Sequence, residues 1–206
     1  MSKSTIIPIG TKHRISISHE NTKLGKIPSF SLPPGKTCSK EACKTCFLDG
    51  CYAVKAYKLY PSTRAAWDGN LAALKADPAA VEDAILKWLK THKPRFFRIH
   101  TSGDFFSGWY LFMWQRIIAA CPETMFLAFS KQFVIMRAAV SQMNFQLFAS
   151  GWTGIKIPED IRRRFPVADC ITRDMVEPND AVACPGSCKT CVHCYTSGTN
   201  VYFHKH

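Results

Sequence analysis

Eight of the chain's ten cysteines fall in two short stretches, and this crowding constrains the fold more than any other feature of the sequence. The first stretch, TCSKEACKTCFLDGCYA, spaces Cys38, Cys43, Cys46 and Cys51 as C-x4-C-x2-C-x4-C. The second, ACPGSCKTCVHCY, spaces Cys184, Cys188, Cys191 and Cys194 as C-x3-C-x2-C-x2-C. Free thiols at this density invite oxidation, so a ligand is expected to hold them. Disulfides would need an oxidising compartment, and MSKSTIIPIGTKHR has no apolar export segment ending in a small-residue cleavage site. The chain reads as cytoplasmic and metal-binding.

Spacing separates iron from zinc only weakly. A structural zinc usually takes two C-x2-C pairs across a loop, here Cys43 and Cys46 with Cys188 and Cys191, or with Cys191 and Cys194. Four cysteines from Cys184 to Cys194, with short uneven gaps and a proline beside the first, look more like a loop wrapped round an iron–sulfur cube. The expectation is one or two [4Fe–4S] clusters, with Zn as the alternative. His193, inside the second stretch, is an alternate ligand, whereas His204 and His206 simply belong to the tail. Cys121 and Cys170 sit in apolar patterns and are expected in the core.

The formal charge is +12, from 27 Lys and Arg against 15 Asp and Glu, which raises nucleic acid as a partner. Two clusters, each about −2 with its thiolates, would remove roughly four units. The basic residues are also dispersed, so a solvated surface accounts for most of them. No apolar run approaches the roughly 18 residues needed to span a bilayer, and no membrane partner is expected.

At 206 residues the chain is expected to form one domain. Its parts are an N-terminal strand and loop segment (1–37), the first cysteine loop (38–51), an α/β body (52–180) and a cysteine-rich tail (181–206). PSFSLPPG (28–35) reads as one short strand ending in a turn. A helix is expected from Tyr52 to about Lys75, and a second one capped by Asp77 and opened by Pro78, with Val81, Ile85 and Leu89 as its stripe. Strands then alternate with helices. RFFRIH (95–100) is followed by a helix capped by Ser107, with Tyr110, Trp114, Ile117, Ile118 and Cys121 on one face. TMFLAFS (124–130), a short helix around 134–140, FQLFAS (145–150), a helix opened by Pro158 and VADCITRD (167–174) follow. This order implies right-handed crossovers and a parallel sheet.

In parallel α/β folds ligands sit at the carboxyl ends of the strands. Polar residues collect there: His100, Thr101, Ser102, Gly103 and Asp104; Ser130, Lys131 and Gln132; Ser150, Gly151 and Trp152; Thr172, Arg173 and Asp174. They are expected to share one rim. The first cysteine loop follows a strand and precedes a helix, where an α/β enzyme holds a cofactor. A four-iron cluster with three cysteine ligands leaves one iron open to chelation by S-adenosylmethionine (SAM), whose reductive cleavage yields a 5′-deoxyadenosyl radical. The usual spacing in such enzymes is C-x3-C-x2-C; here it occurs in the tail, at Cys184, Cys188 and Cys191.

The chain resembles a phage and plasmid family, the gene product 88 family. The likeness runs through NTKLG (21–25), SFSLPPGKTC with Cys51-Tyr52-Ala53, RIHTSGDF, FLAFSKQ and CPGSCKTCVHCY. The motif order is also similar to the radical-SAM-like phage family of gene products 37 and 68. That resemblance implies a partial (β/α) barrel of parallel strands, radical-SAM-like, with a cysteine-rich C-terminal tail. It implies that Gly103 and Asp104 hold the methionine moiety of SAM, and that Ser130, Lys131 and Ser150 line the same pocket. His100, Asp104 and Lys131 are the candidate catalytic residues. His100 can be read as a general acid or base, a cluster ligand or a hydrogen-bonded rim residue, the last being commonest for an isolated histidine, and Asp104 also as part of a helix N-cap. Tyr52, Trp109, Trp114 and Trp152 are expected to pack.

Two functions follow. One is an iron–sulfur protein performing SAM-dependent radical chemistry on an unknown substrate. The other is a non-enzymatic module, braced by zinc or closed clusters, that binds nucleic acid or a host protein.

Overall fold

The computed structural model describes residues 4–172 and 174–205. Arg173, expected on the rim, and His206, assigned to the tail, lie outside them. The described residues build a mixed α/β fold on one nine-stranded sheet that does not close on itself.

The N-terminal segment departs from the single strand expected there. Strands β1 (Ser4–Ile9) and β2 (His13–Ser18) form an antiparallel hairpin before β3 (Ser29–Phe30). The period-two pattern of HRISIS buries Ile15 and Ile17, as a strand with one covered face must. After β3 comes α1 (Lys40–Lys44), inside the first cysteine loop and capped by Ser39, whose hydroxyl accepts from the Ala42 amide at 3.1 Å.

The single helix expected from Tyr52 is two, α2 (Tyr52–Leu59) and α3 (Pro61–Ala76). Pro61 explains the break. It has no amide hydrogen to continue α2, and it forces Tyr60 into extended backbone (φ −114°, ψ 99°) while suiting the first position of α3. Helix α4 (Pro78–His92) starts as expected, the Asp77 carboxylate accepting from the Ala80 amide at 2.9 Å.

The remaining elements are β4 (Phe96–Ile99), α5 (Gly108–Ala119), β5 (Met125–Ser130), α6 (Phe133–Met136), β6 (Phe145–Ser150), α7 (Glu159–Arg164), β7 (Val167–Ile171), β8 (Ala181–Ala183), α8 (His193–Thr196) and β9 (Asn200–His204). The face expected of α5 is buried at Tyr110, Trp114, Ile117 and Ile118, with Cys121 beyond its end. Ser107 stands at its N-cap position but caps nothing with its side chain. The tail is more than a metal loop, because β9 inserts between β7 and β8. No helix among the described residues is long and apolar enough to cross a membrane.

Strands β3, β4, β5, β6, β7 and β9 lie side by side in chain order, all parallel. Strand alternation divides their side chains between two faces. Phe97, Ile99, Phe126, Ala128, Phe145, Leu147 and Val167 join the core beneath α3, α4, α5, α6 and α7. Leu127, Phe148, Ala168 and Val201 face the other way, under Leu24, Ile27 and α8. The second cysteine stretch thus packs on the face opposite the main helices.

Candidate metal centres and strand-end site

The rim expected at the strand carboxyl ends is hydrogen-bonded together around Asp104. This buried carboxylate accepts from the Ser130 hydroxyl at 2.6 Å, the Lys131 amide at 2.7 Å and the Phe105 amide at 2.7 Å. It is therefore a clasp between the ends of β4 and β5 rather than a helix cap. Burial pushes its pKa up to about 6, although the three donors and the Lys131 charge oppose the rise. Lys131 extends Nζ to the Ser150 hydroxyl, 2.7 Å away at the end of β6. Four of the expected residues, Asp104, Ser130, Lys131 and Ser150, consequently form one connected group.

Gly103 serves this group from behind. At φ +80° it occupies the left-handed region, and a Cβ there would lie 2.6 Å from the Thr37 hydroxyl and 2.7 Å from Leu32 Cβ. That close approach lets Thr37 Oγ1 accept from the Asp104 amide at 3.3 Å while donating to the Pro33 carbonyl at 3.0 Å. Thr37 immediately precedes Cys38, so the first cysteine loop is docked on the rim.

His100 does not stand with the others. Its φ of +64° breaks the alternation of β4 and turns the ring towards α5, where Nε2 meets the Tyr110 hydroxyl at 2.9 Å and Phe105 packs edge-on. Burial and the Arg98 charge lower its pKa to about 3, so it is a neutral core residue at pH 7. Tyr52 and Trp109 are also not the packed residues expected, being 66% and 43% exposed. The Tyr52 ring is open to solvent, yet its hydroxyl is enclosed, donating to the Thr101 carbonyl beside the first cysteine loop. That enclosure raises its pKa.

The thiols of the first loop form one electrostatic neighbourhood. Burial pushes Cys38 up to about 12, with Asp104, Cys43 and Cys46 adding to the rise. Cys46 is raised by burial, lowered in part by Lys131, and raised again by Cys51, Cys43 and Asp104. The Gly35 amide donates to Cys38 Sγ at 3.3 Å, an N–H aimed at sulfur as around a thiolate ligand.

The second loop lines a small, partly open cavity of about 40 Å³. Cys184, Cys188, Cys191 and Cys194 all line it, with Tyr195, His193 and Val201. Burial raises the Cys188 thiol and pushes Cys194 up to about 11; neighbouring thiols add to both shifts and Arg98 opposes both. His193 Nε2 is engaged by the Ser197 and Thr199 hydroxyls, each at 2.9 Å, so only its Nδ1 stands beside the four cysteines as a further donor. Tyr195, one of the lining residues, is 1% exposed, and its buried hydroxyl has no hydrogen-bond partner. Such an orphan costs roughly 1–3 kcal/mol unless a ligand supplies an acceptor.

Among the described residues no three Cys, His, Asp or Glu side chains converge as a single metal ion would require. A tetrahedral zinc brings its thiolates to roughly 3.8 Å from one another. A cube, in which each thiolate binds a different iron, takes them from further apart. The donor chemistry, the Gly35 amide and the Tyr195 hydroxyl suit a sulfur-rich centre.

Arg98 and Tyr195 were not singled out from the sequence. The signal for Arg98 was a lone cation at an alternating position of an apolar strand, which places it on the face opposite Phe97 and Ile99. Tyr195 carried no comparable signal.

A family model described as gene product 88 matches residues 10–153, well over half of the chain. The match takes in the first cysteine loop and the strand ends through Ser150, and it stops short of the second loop. No curated protein matches, and no solved structure does.

Proposed function

The chain belongs to the gene product 88 family, and on that premise we propose that it is an iron–sulfur protein of radical-SAM-like, partial-barrel architecture. One observation carries the reading. Six parallel strands stand in chain order with the main helices on one face, and the first of them leads directly into a four-cysteine loop docked at the strand carboxyl ends. Strands added always in the same direction through right-handed crossovers put their helices on one side, the arrangement of a (β/α) barrel rather than a doubly wound sheet.

In this reading Cys38, Cys43, Cys46 and Cys51 supply the ligands of the first cluster, of which three suffice when one iron stays open. The cluster, once reduced, would supply the electron that cleaves SAM. The chain's own part is positional. Lys131, steered by Ser150, offers a cation to the SAM carboxylate at the strand ends. Asp104 accepts from Ser130, Lys131 and Phe105, and in this reading its part is to fix the rim.

Anaerobic purification tests the reading. The expected product is a brown protein with roughly four to eight irons and matching sulfide, as the ligand count implies. With dithionite and SAM it should release 5′-deoxyadenosine. Colourless protein holding stoichiometric zinc would refute it.

A second reading has its own support, since four cysteines in the first loop can ligate all four irons and leave SAM no open site. The protein would then be a metal-braced module, and its positive charge would favour nucleic acid or an acidic host protein as partner. A full cluster without SAM cleavage, together with nucleic-acid binding that weakens steeply with salt, would establish that alternative.

A further inference from the structure

Arg98 stands at the middle of β4 on the face opposite the main helices, in register with Ser29 of β3 and Leu127 of β5. Its guanidinium lies over the Phe129 ring, 4.1 Å from the centroid, and Nε donates to the His100 carbonyl at 3.0 Å. Among the described residues no carboxylate pairs with it. A half-buried cation without a counter-ion is unusual, and the question is what anion it faces.

The surroundings answer it. Leu127 and Phe129, which flank Arg98, pack in the same cluster as Cys188, Cys194 and Tyr195. Phe96, two residues earlier on the same face, packs at a tilt of 54° against Tyr195 with centroids 4.9 Å apart. The second cysteine cavity therefore lies along the wall that carries Arg98, and Tyr195, whose buried hydroxyl has no partner, is one of its lining residues. Four thiolates round a divalent ion, or round an oxidised four-iron cube, leave a net charge of about −2.

We infer that Arg98 is the counter-charge, and the Tyr195 hydroxyl the hydrogen-bond donor, of a negatively charged centre held by Cys184, Cys188, Cys191 and Cys194, and that together they raise its reduction potential. The inference rests on the iron–sulfur reading above. One-electron reduction takes the centre from about −2 to about −3, and a nearby cation and a donor to sulfur both favour the more negative state.

The test uses the full-length chain carrying Cys38→Ala, Cys43→Ala, Cys46→Ala and Cys51→Ala, so that only the second centre contributes, loaded anaerobically and titrated with dithionite against mediator dyes. Adding Arg98→Gln should shift the midpoint potential downward, Tyr195→Phe should shift it less in the same direction, and Arg98→Lys should restore most of the value. Where Arg98→Gln holds less iron, the midpoint of Tyr195→Phe decides. Full iron content with midpoints unmoved by these substitutions overturns the inference and leaves the iron–sulfur reading intact. A chain that takes up no iron through its second loop overturns this inference, and absence of iron from the unsubstituted protein overturns the wider reading with it.

Discussion

Replacing Gly103 by alanine should be among the costliest single-methyl additions in the molecule, and its cost can be worked from two separate sources. The first is backbone: at φ +80° an L-residue sits in the left-handed region, at roughly 1–2 kcal/mol. The second is steric. The new methyl would lie 2.6 Å from Thr37 Oγ1, 2.7 Å from Leu32 Cβ and 3.0 Å from the Leu32 carbonyl oxygen, two of them backbone or near-backbone atoms that cannot swing aside. Overpacking of this kind costs about 1–3 kcal/mol, for a total of about 2–5 kcal/mol. Gly10→Ala is the internal control, because Gly10 also has a positive φ (+57°) but nothing within 4 Å of its added methyl. Only the backbone cost should appear there. Urea unfolding at fixed pH measures both, and at a slope of about 2 kcal/mol per molar the Gly103→Ala midpoint should fall by about 1–2.5 M. Equal midpoints for the two variants would show that the close approach between the rim and the Thr37–Cys38 turn does not exist. Because relief of the clash must push Thr37 outward, Gly103→Ala should also take up less iron than Gly10→Ala.

Asn70→Leu should destabilise by at least about 3 kcal/mol in the same assay, because it strips partners from the Ser16 amide, the Ser16 carbonyl and the Ser31 carbonyl at once; a loss under 1 kcal/mol would contradict that count. His100→Asn, a residue that tolerates positive φ, should flatten the acid limb of the stability profile. The folded pKa of about 3 lies below the ordinary value near 6.5, so the stability tied to neutral His100 is complete above about 6.5 and is lost as pH falls towards 3. The full swing is on the order of 5 kcal/mol. Asp104 has the opposite sign, its contribution being present below about 4 and lost as pH rises through about 6, so Asp104→Asn should steepen that same limb. Urea midpoints between pH 4 and 7.5 check both, and parallel profiles for all three proteins would refute the assignment.

The parallel strands were legible because their apolar runs are bounded by polar strand ends, and the register that joins Asp104, Ser130, Lys131 and Ser150 follows once β4, β5 and β6 lie side by side. The hairpin of β1 and β2 was less visible, since Pro8 and the surrounding serines and lysines dilute an alternation that is clear only at Ile15 and Ile17. The break at Pro61 was present in the sequence and overridden by the helical spacing around it. Other features depend on single torsions or distant contacts. His100 moves from rim to core through one positive φ, and the saturation of Asp104 depends on donors more than twenty-five residues away. Arg98 shows the intermediate case: its face was readable from alternation, but its neighbours came from the tail, which folds back beneath the sheet.

One carboxylate ties the two ends of this molecule together. Asp49, in the first cysteine loop, accepts from Lys205 Nζ at 2.5 Å and from Trp152 Nε1 at 3.3 Å. Lys205 directly follows β9, whose Val201 forms part of the wall of the second cavity. A strand that borders one cysteine cavity and is fixed by its pairing with β7 and β8 thus also holds the other cysteine loop through Lys205, so a disturbance of β9 would be felt at both cysteine stretches at once.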